Sequence, residues 1–203
     1  MPANLIDAAA TATELRQTIR ARRRALDDRI QLQHSQLVQR KISAERSYKN
    51  ARHIGCYLAN DGEIDPYPLI EHAWFLNKTV YLPVLSPLKD QLYFAPYKNS
   101  SRLKLNRFNI AEPSCHPAQW KTAAQLDLLL LPLVAFDRSG NRMGMGGGFY
   151  DRTLAYLQHR KLWKKPVLIG LAHELQRVEK LHTQNWDIPV NLIITERQRY
   201  TAA

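Results

Sequence analysis

The chain opens with two stretches in which apolar residues recur at helical spacing. Leu15, Ile19 and Leu26 stand at core-facing positions between arginines and predict a helix over residues 13–26. Residues 31–49 show a similar pattern, with a polar outer face. The two stretches together predict an N-terminal helical segment.

After residue 50, short apolar runs typical of strands alternate with helical stretches. The run DLLLLPLVAF, residues 127–136, is almost unbroken, as expected for a strand buried on both faces at the middle of a parallel sheet. The other runs that predict strands are residues 53–59, 79–85, 92–97, 167–173 and 192–196. Helical spacing recurs at residues 68–77 and 153–163. This order predicts the α/β class, as a three-layer sandwich with a mostly parallel central sheet flanked by helices.

Two parts of the chain lack this patterning. Prolines and polar residues break the periodicity of residues 98–121, which indicates a long connection with little regular structure. Residues 1–12 are expected to form a flexible N-terminal extension of a single α/β domain that covers residues 1–203.

Composition narrows the class to a soluble globular protein, because hydrophobic residues make up 45% and charged residues 23% of the chain. The longest apolar run falls well short of the roughly 20 residues that cross a bilayer, and the N-terminus lacks the features of a secretory signal. The two cysteines, Cys56 and Cys115, have no metal-binding spacing and are expected to be reduced thiols. We therefore expect a cytoplasmic monomer with no membrane or nucleic-acid partner.

The formal net charge of +11 indicates attraction for anions. The anion could be nucleic acid, an anionic membrane, or a small phosphorylated or carboxylated ligand. The densest basic stretch, RQTIRARRRAL at residues 16–26, predicts either a solvated helix face or an anion-binding one. Nucleic-acid binding is the weaker interpretation, because the chain has no zinc finger, ribonucleoprotein motif or heptad zipper.

A glycine-rich loop follows the long apolar run and leads into a helical stretch. Its glycines, which let backbone N–H groups converge on an anion, are Gly144, Gly146, Gly147 and Gly148. Arg138, Arg142 and Arg152 add full positive charges on either side, so phosphate is the expected ligand. The alternative is a tight strand-to-helix turn without a ligand.

Asp151 is a carboxylate beside this proposed phosphate site. A Mg²⁺ ion that bridges carboxylate and phosphate oxygens would explain its position, and a helix cap is the alternative. Two familiar nucleotide motifs are excluded, because Phe149 and Tyr150 follow Gly148 where a Walker A motif needs lysine and a dinucleotide fingerprint needs glycine.

The segment AFDRSGNRMGMGGGFYDR, residues 135–152, closely resembles the signature of 5-formyltetrahydrofolate cyclo-ligases, in which an arginine, a glycine-rich loop, paired aromatics and an aspartate follow one another. The resemblance continues at Leu15 and Arg16, at GEI of residues 62–64 and at WDIPV of residues 186–190. It implies an α/β enzyme that uses ATP and Mg²⁺ to close 5-formyltetrahydrofolate to 5,10-methenyltetrahydrofolate, with release of ADP and phosphate.

The resemblance also implies roles for particular residues. Those implied to bind ATP are Arg16, Arg142, Met143, Gly144, Met145, Gly146, Gly147, Gly148, Phe149 and Tyr150. Those implied to bind the folate are Leu58, Glu63, Met145, Gly146, Gly147, Gly148 and Phe149. Asp151 and Asp187 are implied to ligate Mg²⁺, and Arg142 and Asp151 to be catalytic. From the residues alone, Asp187 could instead be a turn aspartate and Glu63 a solvated loop acid.

Three positions depart from the family pattern. Relatives often carry lysine where this chain has Ala12 and Gly147, and aspartate is frequent at Asn191. Arg20 or Arg23 could supply the charge that is missing at Ala12. Two other functions compete with the cyclo-ligase, namely a different phosphate-handling enzyme on the same scaffold and a nucleic-acid-binding protein.

Overall fold

A computed structural model describes residues 11–160 and 165–201 of the chain. The helices are α1 (Ala12–Arg24), α2 (Asp28–Ala44), α3 (Arg46–Asn50), α4 (Tyr67–Phe75) and α5 (Phe149–Leu154). The strands are β1 (His53–Gly55), β2 (Thr79–Leu85), β3 (Leu92–Tyr97), β4 (Leu103–Leu105), β5 (Ala111–Pro113), β6 (Leu128–Pro132), β7 (Ala135–Phe136), β8 (Arg142–Met143), β9 (Val167–Leu171), β10 (Leu192–Ile194) and β11 (Arg199–Thr201).

Seven of the described strands form the central sheet, in the order β11-β10-β9-β6-β1-β2-β3. The five inner strands run parallel to one another, and the two edge strands, β3 and β11, are antiparallel to them. The strand from the long apolar run, β6, occupies the middle position. The predicted α/β class with a mostly parallel central sheet is therefore confirmed.

The alternating side chains of β6 explain why its sequence is apolar throughout. Leu128 and Leu130 face the cluster covered by α2, α3 and α4, whereas Leu129 and Leu131 face the cluster on the opposite side of the sheet. All four leucines are 1% exposed or less. A strand covered on both faces has no solvent-facing position, so the period-2 pattern disappears from its sequence.

The second face of the sheet is covered by less regular structure than the sequence predicts. Helix α5 begins at Phe149 and gives way to a 3₁₀ helix at Ala155–His159, in place of the α-helix predicted over residues 153–163. Residues 161–164 lie outside the described part of the chain. Residues 98–121 have little regular structure, as predicted, but include the short two-stranded antiparallel sheet of β4 and β5.

Helix α1 begins with a capping box. The hydroxyl of Thr11 accepts a hydrogen bond from the N–H of Glu14, whose carboxylate accepts one from the N–H of Thr11. This reciprocal pairing satisfies two N–H groups that a helix start otherwise leaves free. The other residues of the expected flexible extension, residues 1–10, lie outside the described part. Among the described helices, none combines the length and apolar character that a membrane span requires.

The topology brings two of the predicted site segments to one edge of the sheet. β1 and β6 are parallel neighbours, so their carboxyl ends lie side by side. The chain leaves β1 toward the GEI loop, defined here as residues 60–65, and leaves β6 toward the glycine-rich loop, residues 144–148. Ligands of open α/β sheets bind at this edge.

Candidate active site

The approach to the glycine-rich loop is organised by Asp137, which is 2% exposed. Its carboxylate accepts hydrogen bonds from the main-chain N–H groups of Ser139, Asn141 and Leu181 and from the Asn141 amide. These bonds hold the turn between β7 and β8, from which the loop starts. This role of Asp137 was not predicted from the sequence, although aspartate before serine, glycine and asparagine is a recognisable turn signal.

The glycine-rich loop itself presents its backbone to solvent, with Met145, Gly146 and Gly147 exposed. Gly146 has φ +100° and Gly148 has φ +65°, conformations that other residues rarely adopt. From α1, the Arg16 guanidinium reaches the loop and donates from Nε to the Gly144 carbonyl at 2.9 Å. The structure thus brings together Arg16 and the loop, although they lie far apart in the sequence.

Arg142 and Asp151 form an ion pair beside the loop. Arg142 Nη2 lies 2.8 Å from Asp151 Oδ1, with side-chain exposures of 6% and 21%. The Arg142 Nε atom is buried and has no hydrogen-bond partner among the described residues. Asp151 lies in the first turn of α5, whose N-cap is Gly148, so Asp151 does not cap the helix.

The WDIPV segment contacts the same carboxylate. The main-chain N–H of Ile188 donates to Asp151 Oδ1 at 3.3 Å, which places the neighbouring Asp187 close to this pair. Asp187 Oδ2 accepts a hydrogen bond from the Gln184 N–H at 2.8 Å, so Asp187 does act as a turn aspartate. This role occupies one of its oxygens and leaves the other available.

Arg152 supports the loop from outside. Its guanidinium donates to the carbonyls of Gly147 and Asp90, each at 2.7 Å, and lies 5.1 Å from the centroid of the Phe149 ring. The Phe149 ring in turn packs edge-on against Phe108 of the β4–β5 connection. Arg152 thus holds the loop in place, and its positive charge lies beside the loop as expected from the sequence.

The GEI loop is held by the arginines of α1 through Asp61. The Asp61 carboxylate binds Arg20, Arg23 and Arg24 at 2.7, 2.8 and 3.2 Å. Burial raises the pKa of Asp61, but the hydrogen bonds and charges of Arg20 and Arg23 outweigh it and lower this pKa below its usual value.

Arg23 is the central residue of this contact, since its side chain is 0% exposed. It also donates to the carbonyls of Asp61 and Leu133. Because Arg20 and Arg23 bind Asp61, we find no support for the expectation that either replaces the charge missing at Ala12. The basic helix is therefore not simply a solvated face, because part of it organises the site.

Glu63 is enclosed rather than solvated. Its side chain is 14% exposed, accepts a hydrogen bond from the Asn60 N–H at 3.2 Å, and lies 3.9 Å from the Arg23 guanidinium. Burial raises the pKa of Glu63 to about 7, because the positive charge of Arg23 only partly offsets the loss of hydration. The group thus titrates near neutral pH.

Tyr150 follows the glycine-rich loop, and its hydroxyl has a strongly shifted pKa. Burial raises the pKa of its hydroxyl well above the usual value, with a further contribution from the Glu63 carboxylate and an opposite one from Arg142. The charges of Glu63 and Arg142 therefore both act on the Tyr150 hydroxyl, in opposite directions.

An open cleft of about 480 Å³ lies against the GEI loop. Its volume is within the range of small-molecule sites. The residues that line it are Gln31, Leu58, Ala59, Asn60, Asp61, Gly62, Glu63, Asp65 and Tyr67. Leu58 and Glu63, both predicted from the sequence to contact the ligand, therefore share one cleft.

The fold and the two loops define an α/β enzyme with a glycine-rich loop and an acid-lined cleft at the carboxyl edge of a parallel sheet. The 5-formyltetrahydrofolate cyclo-ligase family model matches residues 8–196. The chain therefore belongs to the 5-formyltetrahydrofolate cyclo-ligase family.

Individual relatives agree with this assignment. The chain is 44% identical over 178 residues to 5-formyltetrahydrofolate cyclo-ligase of Escherichia coli K12, covering 87% of this chain and 96% of that one. It is 45% identical over 143 residues to the Haemophilus influenzae enzyme of the same name, covering 70% and 74% of the two chains.

Among solved structures, 5,10-methenyltetrahydrofolate synthetase of Aquifex aeolicus superimposes with a TM-score of 0.78 at 26% identity, covering 94% of this chain and 92% of that one. The 5,10-methenyltetrahydrofolate synthetase of Mycoplasma pneumoniae superimposes with a TM-score of 0.68 at 22% identity, covering 92% of this chain and 99% of that one. This second match supports the fold. The predicted family, fold and enzyme class, a ligase of folate metabolism, are thus confirmed.

Proposed function

We propose that this chain catalyses the ATP-dependent cyclisation of 5-formyltetrahydrofolate to 5,10-methenyltetrahydrofolate at the edge where the GEI loop and the glycine-rich loop meet. The observation that carries this proposal is the convergence of the two loops after the parallel neighbours β1 and β6. Helix α1 joins them, since its Arg16 bonds to Gly144 and its Arg20 and Arg23 bind Asp61. The glycine-rich loop suits an anionic phosphate chain, and the GEI loop borders a cleft for a small molecule.

The chemistry requires activation of a formyl oxygen that is otherwise a poor leaving group. The formyl oxygen attacks the γ-phosphorus of ATP, and the bond to ADP breaks. N10 then attacks the formyl carbon and loses its proton, and the carbon–oxygen bond breaks to release phosphate. Such phosphoryl transfer is accelerated mainly by positioning and charge neutralisation, and it needs no nucleophilic side chain.

The glycine-rich loop is the proposed triphosphate site. Residues 145–147 of the loop are exposed, and Arg16 already lies against the loop through its bond to the Gly144 carbonyl. Arg142 is proposed to contribute through its Nε, a buried donor without a partner in the described structure that an anionic oxygen would satisfy. Met143, Phe149 and Tyr150 complete the ATP-binding segment inferred from the family resemblance.

Asp151 and Asp187 suit a Mg²⁺ ion. The hydrogen bonds that the described residues make to Asp151 end on Oδ1, so Oδ2 is available. Carboxylate oxygens together with phosphate oxygens are the usual Mg²⁺ ligands. When bound, the ion would neutralise phosphate charge; Arg142 orients Asp151, and Gln184 orients Asp187.

The cleft beside the GEI loop is the proposed site of the pterin end of the folate. Leu58 supplies an apolar wall, and Glu63 supplies a carboxyl group that can donate or accept a hydrogen bond, because its pKa is raised to about 7. Residues 145–149 would border the substrate on the phosphate side. The surplus of positive charge favours an anionic substrate, including one with a polyglutamate tail.

We propose further that the protein acts as a cytoplasmic monomer. The support for this compartment is that the chain has only two cysteines, Cys56, which is buried, and Cys115, which is partly buried.

The direct experiment mixes purified protein with 5-formyltetrahydrofolate, ATP and Mg²⁺ and follows the ultraviolet absorbance of the methenyl product. We expect product that depends on ATP and stoichiometric release of ADP. A folded protein that binds ATP but forms no methenyl product would contradict the proposal. Product formation without ATP would contradict the phosphoryl-transfer mechanism.

A further inference from the structure

Two histidines and one glutamate converge at a place that the proposed reaction does not use. The histidine cluster consists of His34 from α2, His173 after β9 and Glu196 after β10, and one ligand atom from each lies within 4.8 Å of the others. His173 is 0% exposed, whereas His34 is partly exposed. Neither the glycine-rich loop nor Asp151 contributes to this cluster.

The hydrogen bonds of His173 determine which of its ring nitrogens is free. Its Nε2 lies 3.1 Å from the Gly62 carbonyl, which can only accept, so Nε2 carries the proton in the neutral ring. Its Nδ1 lone pair therefore points at His34, whose Nδ1 is 2.9 Å away. A histidine that donates one N–H to a carbonyl and presents the other nitrogen is the usual arrangement of a metal ligand.

The spacing of the three groups suits a tetrahedral ion. Zinc–nitrogen bonds of about 2.0–2.1 Å place two ligand atoms roughly 3.3 Å apart. In the structure, the two Nδ1 atoms are 2.9 Å apart, and His34 Nδ1 lies 3.9 Å from Glu196 Oε2. These two separations lie on either side of the expected value. Small side-chain movements would therefore complete the site.

The nearby lysine does not occupy the carboxylate. Lys41 Nζ donates to the main-chain carbonyls of Thr195 and Glu196 at 2.7 and 2.6 Å. The Glu196 carboxylate accepts the Glu174 N–H on Oε2 and keeps further lone pairs for a cation.

We propose that His34, His173 and Glu196 bind one divalent transition-metal ion of the zinc class, with water in the fourth position. Two imidazoles and one carboxylate are an established zinc ligand set. The ion would join α2 to the carboxyl ends of β9 and β10 and, through the bond from His173 to Gly62, would stabilise the GEI loop.

The test uses full-length protein without a histidine tag, stripped of metal with a chelator. Co²⁺ is titrated into it while the visible absorption of tetrahedral Co²⁺ is recorded, and Zn²⁺ binding is measured by calorimetry. We expect one ion per chain and, at a hundredfold excess of Zn²⁺ over its Kd, a rise in Tm of about 5 °C.

The His34→Ala variant separates the cluster from other sites. The His34 side chain is partly exposed, so we expect the variant to fold. It should bind Zn²⁺ at least about 100-fold more weakly than the unaltered chain and show no rise in Tm. His182→Ala, at an exposed position outside the cluster, is the matched control and should bind like the unaltered chain. Absence of saturable binding, or equal affinity in both variants, would overturn the proposal and leave the two histidines as a hydrogen-bonded pair.

Discussion

The glycine-rich loop and the GEI loop lie at the same edge of the sheet but are held in different ways. The first is organised largely by nearby residues, such as Asp137 at its approach and Arg152 just after it. The second is held by α1, whose Arg20 and Arg23 bind Asp61 from 41 and 38 residues away. The glycine-rich loop therefore depends mainly on local conformation, with one distant contact from Arg16 of α1, whereas the GEI loop depends on tertiary contacts throughout.

Removing the buried arginine should have the largest effect. Arg23→Met leaves the Leu133 carbonyl without this partner and weakens the binding of Asp61, so we expect a loss of about 3 kcal/mol in the free energy of unfolding. Urea denaturation measures this change in the free energy of unfolding. Arg22→Ala on the exposed side of α1 is the control and should change stability by less than about 0.5 kcal/mol. Equal losses in the two variants would show that Arg23 does not anchor the GEI loop.

Asp151→Asn should damage activity without damaging the fold. The amide still accepts from Arg142 and Ile188 but lacks the charge for Mg²⁺, so we expect kcat to fall at least about 100-fold, or about 2.7 kcal/mol. The absorbance assay, repeated across Mg²⁺ concentrations, measures this fall in kcat. Asp90→Asn is the control, because the Asp90 side chain is largely exposed. Retention of full Mg²⁺-dependent activity would remove the metal assignment.

The protonation of Glu63 should make stability fall as pH rises. The folded-state pKa of about 7 lies above the usual 4.5, so the folded chain holds the proton more tightly between these values. The stability contributed by the Glu63 proton is complete below about pH 4.5 and is lost as pH rises through about 7, by about 3 kcal/mol. Denaturation of the unaltered chain and of Glu63→Gln at pH 5 and pH 8 isolates this contribution. A difference between the two proteins that does not change with pH would contradict the raised pKa.

Substitutions of Gly146 and Gly144 form a matched pair, and they should have the smallest effect on stability and activity. Gly146→Ala places a side chain at φ +100°, which should cost about 1 kcal/mol and raise the KM for ATP several-fold. Gly144→Ala meets no atom within 4 Å and should leave stability unchanged. Initial rates at varied ATP concentration compare them. An equal rise in KM for both variants would point to lost flexibility rather than to backbone conformation.

Much of the fold could be predicted because its signals are local. The apolar run at residues 127–136 identified the middle strand, since a strand covered on both faces has no polar position. The sequence did not predict the short β4–β5 sheet within residues 98–121 or the 3₁₀ helix at Ala155–His159, because such short elements carry little periodicity. The roles of Asp151, Asp187 and the other proposed ligand contacts remain predictions for the experiments above.

The sequence by itself determined the family, the parallel sheet and the glycine-rich loop, because hydrophobic period and glycine content act over a few neighbouring residues. Only the tertiary structure decided that Arg23 is buried against Asp61, that Glu63 is enclosed, and that His34 meets His173 across 139 residues of chain. Burial and pKa depend on which distant groups surround a side chain, and no local pattern specifies those neighbours.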